Sequence, residues 1–234
     1  MVALKKRPGG ELATRPLHFI WIADCSYSME GDKIQSLNYA IREAIPAMQS
    51  VAADNVNAEV LVRAVKFSNG AKWHVAHATP VDDFKWQDLH VNGMTDMGAA
   101  FRLVADQLKM PPMTDRGLPP VLVLISDGQP TDDFESGLKE LMALPWGKKA
   151  VRIGIAIGED ADMEVLQQFI GNKELRPLHA HNAEQLVNYI RWVSTAVLQA
   201  TSAPPSQVTD NISDNNVPIP PVPTVDPHSA ADVW

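Results

Sequence analysis

The sequence is short of cysteine. Cys25 stands alone among 234 residues, so no internal disulfide can form, and no Cys/His cluster has the spacing of a zinc site. Long apolar runs are missing too: the longest near the start, Phe19 to Ala23, falls far below the roughly 20 residues of a bilayer span. The opening Met1-Val-Ala-Leu-Lys-Lys-Arg-Pro8 carries charge with no apolar stretch behind it, so no secretory leader is expected and a cytoplasmic location is the default. Positive charge is scarce, with 20 Lys and Arg against 28 Asp and Glu for a net charge of −8. That balance favours solubility and disfavours a general nucleic-acid surface, so neither nucleic acid nor membrane is an expected partner.

What remains is an ordinary globular composition, 45% hydrophobic and 21% charged. At about 150 residues per domain, the length suits one domain with extra ends, large enough to bury about 70% of its unfolded surface without staples. Residues 1–15 read as a basic arm containing Gly and Pro. Leu17 to Ala23 is mostly apolar and rich in large residues, as a strand covered on both faces should be, and stops at Asp24. From Asp32 to about Ala53, apolar residues recur at three- and four-residue spacing (Ile34, Leu37, Ala40, Ile41, Ala44, Ile45, Met48), which predicts a helix kinked or briefly broken at Pro46. Ala58 to Phe67 and Ala71 to His77 read as strands joined at Asn69-Gly70, a hairpin signal. Phe84 to Val91 is a short strand or a loop.

A second helix is expected from Met97 to Lys109, stopped by Pro111-Pro112. Pro120 to Ser126 is a second buried strand, ending at Asp127-Gly128, and Ala150 to Ile157 a third. Helices are expected over Asp133–Leu144, Ala161–Ile170 and Ala183–Gln199, with a short last strand over Leu175–His179. This alternation predicts an α/β fold: a doubly wound, mostly parallel sheet with one antiparallel edge hairpin and helices on both faces, spanning residues 16–199. Residues 200–234 are proline-rich with few large apolar side chains. They read as a disordered tail, or as a segment that orders on a partner.

Three polar clusters follow buried strands or lie in adjoining loops: Asp24-Cys25-Ser26-Tyr27-Ser28, Thr95-Asp96, and Asp127-Gly128. In an open α/β sheet, ligands bind outside the carboxyl ends of the strands. Asp24, Ser26, Ser28, Thr95 and Asp127 supply oxygen donors only, the set that a hard divalent cation takes. Mg²⁺ is the expected ion, with Mn²⁺ or Ca²⁺ as alternatives. Neutral hydroxyls as ligands leave much of the ion's charge uncompensated, so the metal would seek an acidic group from outside.

These motifs, Asp24-x-Ser26-x-Ser28-Met29, Gly93-x-Thr95 and Ser126-Asp127-Gly128, resemble the metal-ion-dependent adhesion site of von Willebrand factor A domains. The resemblance extends over about residues 16–199. It implies that Ser26, Ser28 and Thr95 are direct ligands, while Asp24 and Asp127 hold coordinated waters or bind in some states. It also implies a Rossmann-like fold and a metal-dependent protein-interaction module rather than an enzyme. Within the family, Gly128-Gln-Pro-Thr131-Asp132 is similar to the TerY-type proteins linked to bacterial tellurite resistance and stress. That likeness implies an adaptor in a stress-response or defence complex, whose partner presents an acidic residue and can be a kinase or phosphatase encoded nearby. Tyr27 departs from the pattern, since many relatives have Gly there, and the zinc-ribbon tail of some relatives is replaced by the proline-rich segment.

Plainer readings exist for each residue. Asp24, Ser26 and Ser28 could cap a helix, and Asp127-Gly128 could be a turn. Asp96 reads as a cap, and Asp132 and Asp133 as capping carboxylates of the Asp133–Leu144 helix. Cys25 reads as a small filler, and Trp73 and Trp86 as packing. His179 and His181 are expected on opposite sides of a strand end, which disfavours a transition-metal pair. Two rival functions remain. One is a phosphatase using Asp24, although the general acid such enzymes place two residues on is here Ser26. The other is a structural subunit whose metal site is empty.

Overall fold

A computed structural model describes residues 14–55, 58–202 and 217–223. Six strands form one sheet: β1 Arg15–Asp24, β2 Ala58–Ser68, β3 Gly70–Pro80, β4 Val121–Ser126, β5 Val151–Ile157 and β6 Leu178–Ala180. Their spatial order is β3-β2-β1-β4-β5-β6. All neighbours are parallel except β2 and β3, which pair antiparallel at the edge. The doubly wound fold with one edge hairpin is therefore as expected. The hairpin turns at Asn69, with Gly70 at φ 73°, a conformation that costs least without a Cβ.

The helices are α1 Asp32–Asp54, α2 Met97–Gln107, α3 Phe134–Ala143, α4 Pro145–Lys149, α5 Met163–Ile170, α6 Ala183–Trp192 and α7 Leu198–Ser202. A π turn, Val193–Val197, joins the last two. The period of two in β1 explains both layers. Leu17, Phe19, Trp21 and Ala23 face a core built with α1 and α6, whereas Ile20 and Ile22 face one built with α2, α3 and α5. All six residues of β4 are buried, as a central parallel strand covered by helices requires. Because β1 and β4 run side by side in register, Ala23 against Ile125, their polar ends, Asp24 and Ser126, emerge together.

Some sequence expectations change, and one open alternative, at Phe84 to Val91, is resolved. The first helix is not broken at Pro46: α1 runs on to Asp54. Proline costs a helix interior about 3 kcal/mol, but Ala44 and Met48 on either side are buried and Ile45 packs on the same core, so tertiary burial outweighs the local cost. Phe84 to Val91 is a loop without strand pairing. Asn38 of α1 holds it, accepting from Trp86 Nε1 (3.0 Å) and Leu89 N (2.8 Å) and donating to Leu89 O (3.0 Å). His179 and His181 do not diverge: although His181 lies just beyond the end of β6, their ring centroids are 3.9 Å apart.

The ends differ as well. Arg15, assigned to the N-terminal arm, already belongs to β1, and the arm otherwise lies outside the described residues except Thr14. Most of the tail is likewise outside them. Residues 217–223 are described, however, and Val217 and Ile219 pack against the α1/α6 core. Among the described residues, no helix is long and apolar enough to cross a membrane.

Candidate metal centre

The chain leaves β1 at Asp24 and turns at once. Ser26 N donates to Asp24 Oδ1 at 2.8 Å, which folds the backbone back over the carboxylate. A short 3-10 turn, Tyr27–Met29, follows, and the Ser26 side chain does not cap it. Ser26 Oγ instead lies 2.8 Å from Ser28 Oγ. The plain capping reading thus fails for Ser26, whose hydroxyl stays with that of Ser28. Below them Asp24 is wholly buried. Its second oxygen accepts from Ser126 Oγ at 2.5 Å, and Ser126 Oγ accepts from Gly128 N at 2.8 Å.

Thr95 reaches the same place from another loop. Tyr27 N donates to Gly93 O at 3.0 Å, tying the two loops together. Gly93 has φ 74°, a left-handed conformation that favours glycine, and the side chain of Asn69 packs against its Cα. A third loop supports Thr95: Thr95 N donates to Thr131 Oγ1 at 3.0 Å, and Thr131 N donates to Thr95 O at 2.9 Å. A cleft of about 690 Å³ is lined by Ser26, Ser28, Thr95 and Asp127, with Tyr27, Lys33 and Met94 at its walls. Four of the five expected ligands therefore share one cleft, and Asp24 stands directly behind Ser26.

The capping assignments are redistributed. Asp133 does cap α3, accepting from Ser136 N at 3.1 Å. Asp132 instead serves α2, accepting from Gly98 N and Ala99 N at 2.8 Å each. Asp96, expected as a cap, makes no side-chain cap bond. It clamps loops, accepting from Gly70 N at 2.6 Å and Thr131 Oγ1 at 3.1 Å. Sequence reading missed Thr131, Ser126 and Lys33 as supports of the site. For Thr131 and Lys33 no local pattern signals the role, because their partners are 36 and 94 positions away.

Electrostatics and hydrogen bonding test whether a cation fits. Burial pushes the Asp24 carboxyl up to about 6, against the lowering effect of hydrogen bonds from Ser126 and Ser26. Asp127 is 5% exposed, and its Oδ1 is buried with no hydrogen-bond partner. Its Oδ2 lies 3.9 Å from Lys33 Nζ. A buried carboxylate oxygen left unpaired costs about 1–3 kcal/mol or more, and a cation is one remedy. Three hydroxyls and two carboxylates suit a hard ion. Among the described residues no group of three or more His, Cys, Asp and Glu could hold a metal, so a site rich in nitrogen, sulfur or carboxylate is not formed. Burial, and then the charge of Asp24, push the Cys25 thiol up to about 12, so it is a thiol at neutral pH and a packing residue rather than a nucleophile.

A family model for the von Willebrand factor type A domain matches residues 20–190. A comparison with curated protein sequences gives no match. Similar solved structures include a von Willebrand factor type A protein from Catenulispora acidiphila (TM-score 0.58, 16% identity, 80% of this chain and 43% of that one). The pilus adhesin SpaC from Lactobacillus rhamnosus GG is also similar (TM-score 0.64, 12% identity, 80% of this chain and 31% of that one). So is proximal thread matrix protein 1 from the mussel byssus, in a form with a zinc-occupied adhesion-site motif (TM-score 0.59, 17% identity, 82% of this chain and 49% of that one). The chain spans less than half the length of each of these three relatives. At such identities the likeness is one of fold.

Proposed function

The chain belongs to the von Willebrand factor type A family, and on that premise we propose that Asp24, Ser26, Ser28, Thr95 and Asp127 hold one divalent cation that captures an acidic side chain of a partner protein. Mg²⁺ is the ion of choice, ahead of Mn²⁺ and Ca²⁺, because the donors are all hard oxygens in a small set. The observation that carries the reading is the buried, unpartnered Asp127 Oδ1 beside a cleft lined by the hydroxyls of Ser26, Ser28 and Thr95. The ion would supply a positive charge only partly neutralised by its protein ligands. The chain's own residues bind and orient it: Ser126 and the Ser26 amide fix Asp24, and Thr131 fixes Thr95.

This is a binding rather than a catalytic arrangement. The position two residues after Asp24, where a phosphatase of the kind considered would need a general acid, is Ser26, and its hydroxyl is engaged with Ser28. An adaptor role in a bacterial stress-response, tellurite resistance-like or defence complex, with a kinase or phosphatase encoded nearby as partner, rests on the Gly128–Asp132 resemblance alone. Affinity capture with and without EDTA tests the reading: partners held through the cation are lost on chelation, and capture that ignores both chelator and Thr95→Ala rejects it.

One observation favours a second reading, in which the site serves structure without metal. Lys33 Nζ sits 3.9 Å from Asp127 Oδ2, so an ammonium already offers the carboxylate a positive charge.

A further inference from the structure

The most telling contact outside the metal site lies where a disordered tail was expected. Residues 217–223 read Val-Pro-Ile-Pro-Pro-Val-Pro and form neither helix nor strand. Four prolines fix φ near −65° and remove four amide donors, so the backbone favours an extended polyproline-II course whose carbonyls have no partners of their own. One of those carbonyls is recognised: Trp192 Nε1 donates to Pro221 O at 3.1 Å. The Trp192 side chain is otherwise part of the α1/α6 core, 7% exposed. Val217 and Ile219, alternating with prolines, pack against the same core.

An indole that offers its ring to apolar side chains and its N–H to a proline carbonyl is the chemistry by which aromatic-lined grooves read proline-rich strands. We propose that the surface around Trp192 is a binding site for proline-rich peptides, occupied in cis by residues 217–223 and open to exchange. The seat is shallow: none of the seven residues is buried. Fourteen residues, 203–216, join Ser202 to Val217, and a tether of that length gives an effective concentration on the order of millimolar. Weak intrinsic affinity is thus enough to keep the site filled by its own strand. An outside proline-rich segment competes only when that strand is released or when the competitor is concentrated.

The test uses the full chain with tryptophan indoles labelled for NMR, the Trp192 signal being assigned with Trp192→Phe among the six tryptophans. In the Val217→Asp/Ile219→Asp double variant the Trp192 signal moves away from its wild-type position. A blocked peptide with the sequence of residues 217–223 returns it saturably, and the same peptide with its four prolines replaced by alanine does not. In wild type the peptide acts only at concentrations at least about tenfold higher, because the tethered strand competes. If the double variant is misfolded, Pro220→Gly/Pro221→Gly, which keeps Val217 and Ile219, gives the same comparison. An unmoved Trp192 signal in the variants, no saturable return, or equal binding of the alanine peptide overturns the proposal. A wild-type signal that shifts with protein concentration assigns the bound strand to a second copy and overturns cis occupancy.

Discussion

Ser126 Oγ donates to Asp24 Oδ2 at 2.5 Å while accepting from Gly128 N at 2.8 Å. One hydroxyl therefore joins the ends of two adjacent parallel strands and orients a wholly buried carboxylate. The relationship exists because β1 and β4 are in register, so that the residues after Ala23 and Ile125 meet. Groups that orient a metal's ligands commonly cost 10–100-fold in affinity when removed. Ser126→Ala is thus expected to weaken Mg²⁺ binding by at least about tenfold and to destabilise the fold by about 1–3 kcal/mol. Titration calorimetry and urea denaturation check the two effects separately.

Under the proposed function, Lys33, whose Nζ lies 3.9 Å from Asp127 Oδ2, would compete with the cation for that carboxylate. Lys33→Met keeps the aliphatic stem against Gly158, whose Cβ position lies 2.9 Å from Lys33 Cε, and removes the charge. Mg²⁺ affinity is expected to rise by about twofold to fivefold, since a partly exposed ion pair at this separation is worth at most about 1 kcal/mol. Unchanged or weaker binding would show that the ammonium does not oppose the metal.

Acid stability reports on His18. Burial, then the nearby Arg63 charge, pulls its pKa from 6.5 down to about 4, and its Nδ1 is buried without a partner. Between those values the unfolded chain takes up a proton that the folded chain refuses. The stability due to neutral His18 is full above pH 6.5 and is lost as pH falls through 6.5 towards 4, by roughly 3 kcal/mol in all. Asp24, raised to about 6, has the opposite slope over an overlapping range, so the net profile is blunted. The comparison that isolates His18 is with His18→Leu: denaturation at pH 7 and pH 4.5 should show a smaller acid loss in the variant, and parallel profiles contradict the assignment.

Asn38 gives a control away from the metal. Asn38→Leu leaves Trp86 Nε1, Leu89 N and Leu89 O without their partner and is expected to cost about 3 kcal/mol, several unsatisfied groups at about 1 kcal/mol or more each. The rise in melting temperature on adding Mg²⁺ should match that of wild type, as differential scanning fluorimetry would show.

The fold was legible because its strongest signals are local. The strand at Leu17–Ala23, the strand ending at Ser126 and the Asn69-Gly70 turn each announce themselves within a few residues, and alternation of strand and helix sets the class. The convergence of Ser26, Ser28, Thr95 and Asp127 on one cleft was legible because each follows a strand or opens a helix at the same edge of the sheet. What sequence did not reveal depends on partners far apart in the chain. Asp132 looks like a cap for the helix it precedes, yet it serves Gly98 and Ala99 of α2. Pro46 looks like a break until the buried flanks of α1 are weighed. The tail looks unstructured by composition, since nothing near Pro221 in sequence points to Trp192, 29 residues earlier.

The proposed function places one hard cation where Asp127 Oδ1 has no partner from the protein. Calorimetric titration of Mg²⁺ into the metal-stripped full chain and into Asp127→Asn tests it most directly, because the amide keeps the shape and removes the charge. Saturable binding near one ion per chain, stabilisation of the wild type by about 2.7 kcal/mol at a hundred times Kd, and a loss of at least about tenfold in the variant, as an ion's charged ligand implies, are expected. No heat and no stabilisation of the wild type at millimolar Mg²⁺ and Mn²⁺, or equal affinity in Asp127→Asn, would contradict the account.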